Sequence, residues 1–327
     1  MIVIGHGAGG RLTHELVERH FLKPLQNPAL SAMLDSGCVG DLAMTTDAFV
    51  VTPRFFPGGD LGRLAVAGTV NDLVAVGAIP IGLCAAFILE EGLALEELDR
   101  LVASMAATAR EAGVEVVAGD TKVVPRGACD GAFITTSGVG RLDPGFRPEP
   151  ARIQTGDAVL VTGTLADHGV AVMACREGLR LGGELRSDVA PLRVLVDALR
   201  DADLEVHAMR DPTRGGAAQC LFELAQGAQR RVVLREQAIP VAAPVRAACE
   251  LLGLDPLYVA NEGKLMVVLP EAQAEQAVAL LRAQPLGAHA AIIGQVEDGT
   301  PGCELITALG GRRSLRMASG ELLPRIC

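Results

Sequence analysis

Tryptophan is absent from these 327 residues and tyrosine occurs once. A core without large rings must be packed from small aliphatic side chains and glycine, backbone close to backbone. No Lys/Arg-rich run occurs, and the formal net charge is −10. Such a surface does not attract nucleic acid or an anionic membrane non-specifically. An anionic substrate must then be held by local groups or metal ions. No apolar stretch reaches the ~18 residues of a membrane span. The opening Met1-Ile2-Val3-Ile4-Gly5-His6 has no basic region and no long apolar run, which argues against a secretory signal. The eight cysteines include no C-x-x-C pair, which argues against a zinc site and a disulfide framework. Most are expected as buried small residues in a reducing compartment, the cytoplasm. There is no G-x-x-x-x-G-K-[ST], G-x-S-x-G or H-E-x-x-H run, which removes P-loop, α/β-hydrolase and zincin readings.

What is present is small and apolar: half of the residues are hydrophobic and 38 are glycine. The length exceeds the ~250–300 residues at which a single core stops growing, so two domains are expected. Residues 42–51 alternate in polarity and end at Pro53, which predicts a strand. A turn over 55–60 leads to a helix over 61–76. Then come a strand over 79–89 and a helix over 95–112 closed by Gly113. A short strand over 114–118 ends at Gly119-Asp120-Thr121-Lys122, and another covers 132–139. Three prolines and several charges crowd residues 141–152, the expected domain boundary. Beyond it, strands are predicted over 158–162, 232–234, 265–269, 290–296 and near 304–307. Helices are predicted over 166–177, 189–202, 241–252 and 271–283, with another starting at Pro212-Thr213 and running to about Ala225. No fixed-period repeat or low-complexity tract occurs.

Several polar residues stand out against this background. His6-Gly7-Ala8-Gly9-Gly10 precedes an amphipathic run from Leu12 to Phe21. Glycines let a backbone approach a ligand, and a helix N-terminus favours anions. The segment is either a plain turn or a flap over phosphates. Asp47 lies within a strand, where a solvated carboxylate is the simpler reading. Asn71-Asp72 interrupts an apolar helix, and a carboxylate there is costly to bury unless it is paired or bound to metal. Asp120 and Lys122 end a strand, where loops carry polar chemistry. Asp211, between Arg210 and Arg214, is expected at a helix start, as a cap or as a phosphate or metal ligand. Alone, Asp47, Asp72, Asp120 and Asp211 would repel a polyphosphate; with Mg²⁺ between them they would hold it. Lys122, Arg214 and backbone N–H groups would share the remaining charge. The residues themselves thus lead to a Mg-nucleotide enzyme of two αβ domains. Finally, Pro324-Arg325-Ile326-Cys327 places a thiol at the tip of an arm that Pro324 keeps from coiling. From Ser319 that arm reaches roughly 25–30 Å at about 3.3 Å per residue. A frayed end is the simplest account of it.

Taken together, these motifs resemble the HypE hydrogenase-maturation family. Its superfamily includes aminoimidazole ribonucleotide synthetase, selenophosphate synthetase and thiamine-monophosphate kinase. The resemblance runs from His6–Gly10 through Phe55-Phe56-Pro57-Gly58-Gly59, Asn71-Asp72, Gly119–Val124, Arg210–Gly216 and Asn261-Glu262-Gly263-Lys264. It ends at Pro324–Cys327, its most diagnostic part, and covers essentially the whole chain. It implies an α+β protein of two PurM-like αβ domains: an ATP-binding and dimerisation domain over 1–146 and a C-terminal domain over 147–317. A mobile tail over 318–327 carries Cys327. It further implies a homodimer with ATP-dependent carbamoyl dehydratase activity. A carbamoyltransferase, HypF, would load Cys327, and the S-carboxamide would become a thiocyanate. The nitrile would then pass to iron on a HypC–HypD scaffold. In this picture Cys327 carries the substrate and Glu262 is the base. Lys122 is a proton acceptor or charge partner, with the order between Lys122 and Glu262 open. Nucleotide binding falls to His6, Gly7, Gly9, Gly10, Asp47, Asn71, Asp72, Asp120, Thr121, Lys122, Arg214 and Gly215, and Mg²⁺ to Asp47, Asp72, Asp120 and Asp211. Arg325 either steers the arm to an acidic surface or is simply solvated. The other seven cysteines read as core, and His14, His20, His168, His207 and His289 as structural or surface residues. Two rivals stand beside this: another ATP-using enzyme of the superfamily, such as a selenophosphate synthetase or small-molecule kinase, and a non-catalytic assembly scaffold.

Overall fold

The computed structural model describes residues 1–31, 33–179, 184–318 and 325–327. Pro324 and most of the expected tail lie outside the described residues. After β1 (Gly37–Val39) and β2 (Leu42–Phe49) comes a small hairpin, β3 (Phe55–Phe56) with β4 (Gly59–Asp60). Then follow β5 (Ala78–Glu90), β6 (Glu115–Val124) and β7 (Ala132–Leu142). The first sheet has the order β1-β2-β7-β5-β6. All its pairs are antiparallel except β5 with β6.

The helix Leu61–Ala75 is the element on which this half is packed. The Asp60 side chain caps it, accepting from Arg63 N at 3.0 Å. It is apolar on every side, so it must be covered on every side. The first sheet covers one flank, and helices Leu95–Ala112 and Arg193–Asp201 cover the other. Only Arg63 and Asp72 among its residues escape full burial. Gly113 closes the neighbouring helix with φ +67°, the left-handed conformation its position predicts. The other face of the first sheet is open, and Met44, Ile81, Ile88 and Val117 are exposed there.

The second half contributes β8 (Asp157–Val161), β9 (Ala208–Arg210), β10 (Arg231–Arg235) and β11 (Met266–Pro270), then β12 (Ala291–Glu297), β13 (Gly302–Ile306) and β14 (Arg312–Leu315). Their order is β14-β13-β10-β12-β8-β11-β9. The period-two side-chain alternation serves two cores. Val159, Val161, Met266 and Val268 pack with helix Gly216–Ala228. Leu160, Val267 and Leu269 pack with helices Arg193–Asp201 and Glu271–Arg282, in the same cluster as Leu64, Val70 and Leu101. The two halves therefore share one continuous apolar interior.

Three elements differ from the sequence-based expectation. The helix expected from residue 189 begins at Arg193, because Pro191 disfavours helical backbone in the residue before it. β6 does not end before Gly119 but continues to Val124, with Asp120 opposite Ala86 and Lys122 opposite Ile88. The helix expected to start at Pro212-Thr213 starts at Gly216. Gly215 and Gly216 have φ +81° and +62°, and a Cβ on Gly216 would lie 2.6 Å from Leu257 O. That left-handed turn postpones the helix, so Asp211 is not at its N-terminus. Among the described residues no helix is long and apolar enough to cross a membrane.

Candidate active site

A polar pocket of about 240 Å³ opens where the two halves meet, and Asp35, Asp47, Asp72, Asp211, Arg210 and Arg214 line it. In β2 the alternation turns Thr45 and Asp47 to the helix side of the sheet, and Thr45 Oγ1 donates to Asp72 Oδ2 at 2.6 Å. Asp72 comes from the buried helix, Asp211 from the turn after β9, and Asp35 from the approach to β1. Arg210 Nε lies 3.2 Å from Asp35 Oδ1, and its Nη2 lies 2.8 Å from Glu223. Burial pushes all four carboxyls up, and their mutual repulsion adds to it for Asp35, Asp72 and Asp211. Asp35 reaches about 6, and Asp72 and Asp211 stand well above the ordinary carboxyl range. Four like charges held this close call for a cation. The donors are all hard oxygens, the class that Mg²⁺ takes. Among the described residues no three His, Cys, Asp or Glu side chains converge tightly enough to hold a metal unaided. Mg²⁺ needs only one or two carboxylates when phosphate and water complete its shell, so the pocket fits that ion held jointly with a nucleotide.

The N-terminal segment crosses the mouth of this pocket. Gly9 and Thr13 line it. Gly9 has φ +81° and lies against Arg214, where a Cβ would come within 2.6 Å of the arginine's own Cβ. Arg11 N donates to Ala318 O at 3.0 Å, which ties the segment to the stretch that follows the last strand. His6 is set back: its Nδ1 interacts with Val3 of its own turn.

The end of the chain is docked in the same place. Cys327 is partly buried, and burial raises its thiol to about 12; Arg214 opposes the rise, and Glu262, Asp47 and Asp211 add to it. Arg214 in turn is raised chiefly by Cys327. Glu262 is buried, and its Oε1 has no hydrogen-bond partner among the described residues. Burial pushes its carboxyl well up, helped by Asp211, Asp188 and Asp47. The loop that carries it is clamped: Asp188 accepts from Glu262 N and Gly263 N, each at 3.2 Å, and pairs with Lys264 Nζ at 3.1 Å.

Asp47, Asp72, Asp211, Arg214, Glu262 and Cys327 are thus brought together. Asp120, Thr121 and Lys122 are not. They lie on the exposed edge strand β6, and Lys122 Nζ pairs with Asp120 at 2.8 Å. The Lys122 contact holds the Asp120 carboxyl below its usual range. Asn71 does not face the pocket either. Its Nδ2 donates to Ala190 O at 3.1 Å and Glu262 O at 3.3 Å, and its Oδ1 accepts from Leu192 N at 2.8 Å. It staples the two halves together beneath the site. Sequence reasoning passed over Asp35, Asp188 and Asp130. It also read His168 as structural or surface, yet His168 touches the tail. Arg325 does meet an acidic group, with Nη2 2.9 Å from Asp130.

Comparison with known proteins assigns the fold. Residues 31–142 match the family "AIR synthase related protein, N-terminal domain", and residues 154–303 match "AIR synthase related protein, C-terminal domain". The carbamoyl dehydratase HypE of Azotobacter vinelandii is 49% identical over 327 residues, covering 98% of this chain and 96% of that protein. The chain belongs to the HypE family. The HypE-type chain in a crystal structure of a HypE–HypF complex superposes with a TM-score of 0.90 at 43% identity, over 93% of this chain and 99% of that one. A crystal structure of HypE in complex with ATP matches over 100% of both chains, at 47% identity and a TM-score of 0.85. The two-domain PurM-like architecture expected from the motifs is therefore the one observed.

Proposed function

We infer that this chain is an ATP-dependent carbamoyl dehydratase of NiFe hydrogenase maturation, which converts an S-carbamoyl group on its own Cys327 to a thiocyanate. The observation that carries the reading is the docked chain end: Cys327 O accepts from Val50 N at 3.1 Å, with its thiol within electrostatic reach of Arg214 and Glu262 and of the pocket carboxyls Asp47 and Asp211.

An amide oxygen is a poor leaving group. Moving the γ-phosphoryl of ATP onto the carbamoyl oxygen lets that oxygen depart as phosphate, while the nitrogen gives up both protons and the C≡N bond forms. Glu262 suits the proton acceptor by position: its buried Oε1 has no partner among the described residues, and its carboxyl lies within electrostatic reach of Cys327. Arg214 lies within electrostatic reach of the reacting sulfur and supplies fixed positive charge. Gly9 and its neighbours lie over Arg214 and exclude water that would otherwise hydrolyse the nucleotide. Asp47, Asp72 and Asp211 would hold Mg²⁺, together with Asp35. Bound Mg²⁺ spreads the charge that develops on the transferring phosphoryl group.

Asp120, Thr121 and Lys122 enter this scheme through a second copy. The open face of the first sheet exposes Met44, Ile81, Ile88 and Val117, an apolar surface of the kind that marks an interface. Pairing two such sheets in a homodimer would present the Asp120–Lys122 pair to the neighbouring pocket. The HypE–HypF complex supports a HypF-type carbamoyltransferase as the loading partner. A HypC–HypD iron scaffold would be the acceptor, with the reaction in the cytoplasm.

The test is the mass of the C-terminal peptide after carbamoylated protein meets Mg-ATP. Loss of one water's mass that requires ATP and disappears in Asp72→Asn supports the dehydratase. An unchanged mass in the native chain overturns it in favour of a scaffold. Full turnover of a free small substrate by Cys327→Ala would favour a kinase.

A further inference from the structure

We propose that His168, Arg176 and Asp130 form a docking groove for the last three residues of the chain, in which His168 is the positioning residue that sets Cys327 against Glu262 and Arg214. The inference rests on the dehydratase reading above and adds to it a group that never touches the reacting atoms.

His168 lies in helix Asp167–Arg176 and is fully buried. Both ring nitrogens are engaged: Nε2 lies 2.8 Å from Ile326 O, and Nδ1 lies 2.8 Å from Ser187 Oγ. A carbonyl oxygen can only accept, so Nε2 carries the hydrogen and Nδ1 accepts from the Ser187 hydroxyl. Ser187 Oγ also accepts from Val189 N at 3.0 Å, and Phe56 packs edge-on to the imidazole with centroids 5.4 Å apart. The ring therefore has one tautomer and one orientation. A histidine serving only the core would give its free N–H to a permanent element. This one gives it to the penultimate residue of the chain.

The surrounding contacts address the same three residues. Val50 N donates to Cys327 O at 3.1 Å, and Thr52 N donates to Arg325 O at 3.3 Å. Alternate amides thus receive the chain end as a sheet edge receives an added strand. Arg176 bridges the two segments, with Nη2 2.7 Å from Arg325 O and Nε 2.8 Å from Thr52 O. These contacts grip main chain, and two side chains are read as well: Ile326 is buried, and Arg325 reaches Asp130. The groove therefore selects a basic residue two before the end and an apolar residue one before it, with the cysteine as terminus. His168 holds the carbonyl adjacent to Cys327, so it fixes the sulfur without contacting it.

The test uses the full-length protein and two independent readouts. Amide hydrogen exchange at Val50 and Thr52 reports docking. Single-turnover dehydration of the carbamoylated protein reports positioning. His168→Ala should speed exchange at both amides by roughly tenfold and slow dehydration by a similar factor, the order that one lost hydrogen bond to a buried carbonyl produces. The ATP concentration giving half the maximal rate should move by less than about twofold, because nucleotide binding is not what was removed. His168→Gln, whose amide can still donate, should recover part of both effects. Asp130→Ala, which removes the half-exposed partner of Arg325 together with its bonds to Thr52 Oγ1 and Arg54, should shift both readouts in the same direction. Combining Asp130→Arg with Arg325→Asp should recover activity relative to either single change. The proposal is overturned if His168→Ala leaves exchange at Val50 and Thr52 as slow as in the native chain, or if the charge exchange brings no recovery. Exchange needs neither ATP nor a carbamoyl group, so a native protein that never dehydrates its tail would defeat the dehydratase reading and leave the groove to be judged on exchange alone.

Discussion

In the resting protein, Cys327 should react with iodoacetamide more slowly than the same cysteine in the denatured chain, by a factor that the docked structure sets. The thiolate is the attacking species. Docking lifts the thiol from its ordinary 9.0 to about 12, so a locked tail would carry roughly a thousandfold less thiolate at pH 8, at tenfold per unit. That ratio is a ceiling, because reaction also proceeds through the undocked tail. Undocking breaks hydrogen bonds at Val50, Thr52, His168, Arg176 and Arg325 Nε, and the ion pair to Asp130. At about 1 kcal/mol for each hydrogen bond and about 0.5 kcal/mol for the half-exposed ion pair, these amount to about 5.5 kcal/mol. Burial of Ile326 adds about 2 kcal/mol. Ordering three residues at about 1.5 kcal/mol each removes about 4.5 kcal/mol. The remainder, about 3 kcal/mol, leaves the tail undocked roughly 0.3–1% of the time. Alkylation at pH 8, followed by mass spectrometry of the C-terminal peptide, should therefore be slowed about 100- to 300-fold. Its pH profile should follow the free thiol, since the reactive population is the undocked one. A ratio near one would refute the docked tail. A ratio near a thousand would refute an arm that opens for loading.

Three further outcomes follow from the same contacts. Asp72→Asn removes one of four crowded charges, so it should raise the melting temperature without ligand by about 2 °C or more while lowering ATP-dependent dehydration by about a hundredfold or more; a lower melting temperature would mean that the crowding has been misread. Asn71→Ala strands the buried Ala190 carbonyl and Leu192 amide and leaves the Glu262 carbonyl only its long bond from Ala190 N, which should cost about 3 kcal/mol or more and drop the melting temperature by about 5 °C or more; calorimetry showing a change under about 1 °C would disprove the staple. Burial holds the His168 imidazole below its ordinary 6.5, and the Ile326 carbonyl opposes that shift. Nε2 keeps its hydrogen in either charge state, so protonating the ring leaves its bond to the tail in place. Exchange at Val50 and Thr52, corrected for its intrinsic pH dependence, should therefore stay level from about pH 8 to about pH 6, and acceleration across that range would count against it.

Much of this was legible in the residues. Alternation from Leu42 and the long apolar run from Leu61, interrupted at Asn71-Asp72, announced the strand and the buried helix, and the cost of burying Asp72 marked it as a candidate ligand before any coordinates. Lys122 and Asp120 were harder, because an exposed edge strand and a strand end leave the same local pattern. Asp211 was placed at a helix start on the strength of Pro212, but two left-handed glycines further on moved that start to Gly216. His168, Asp188 and Asp35 carried no local signal. Their roles come from partners far along the chain, Ile326, Glu262 and Arg210, which only folding brings near. The meaning of Cys327 came from resemblance to a family, and its seat beside Glu262 came from the coordinates.

Ile326 is buried in an apolar cluster whose members come from both halves, so the residue next to the reactive sulfur is also a plug in their shared interior. Each delivery then amounts to pulling that plug. The vacated seat is greasy and invites either re-entry or an intruder. Handover by displacement, in which an acceptor takes the arm while the seam is refilled or shielded, suits such a device better than free diffusion of a released tail.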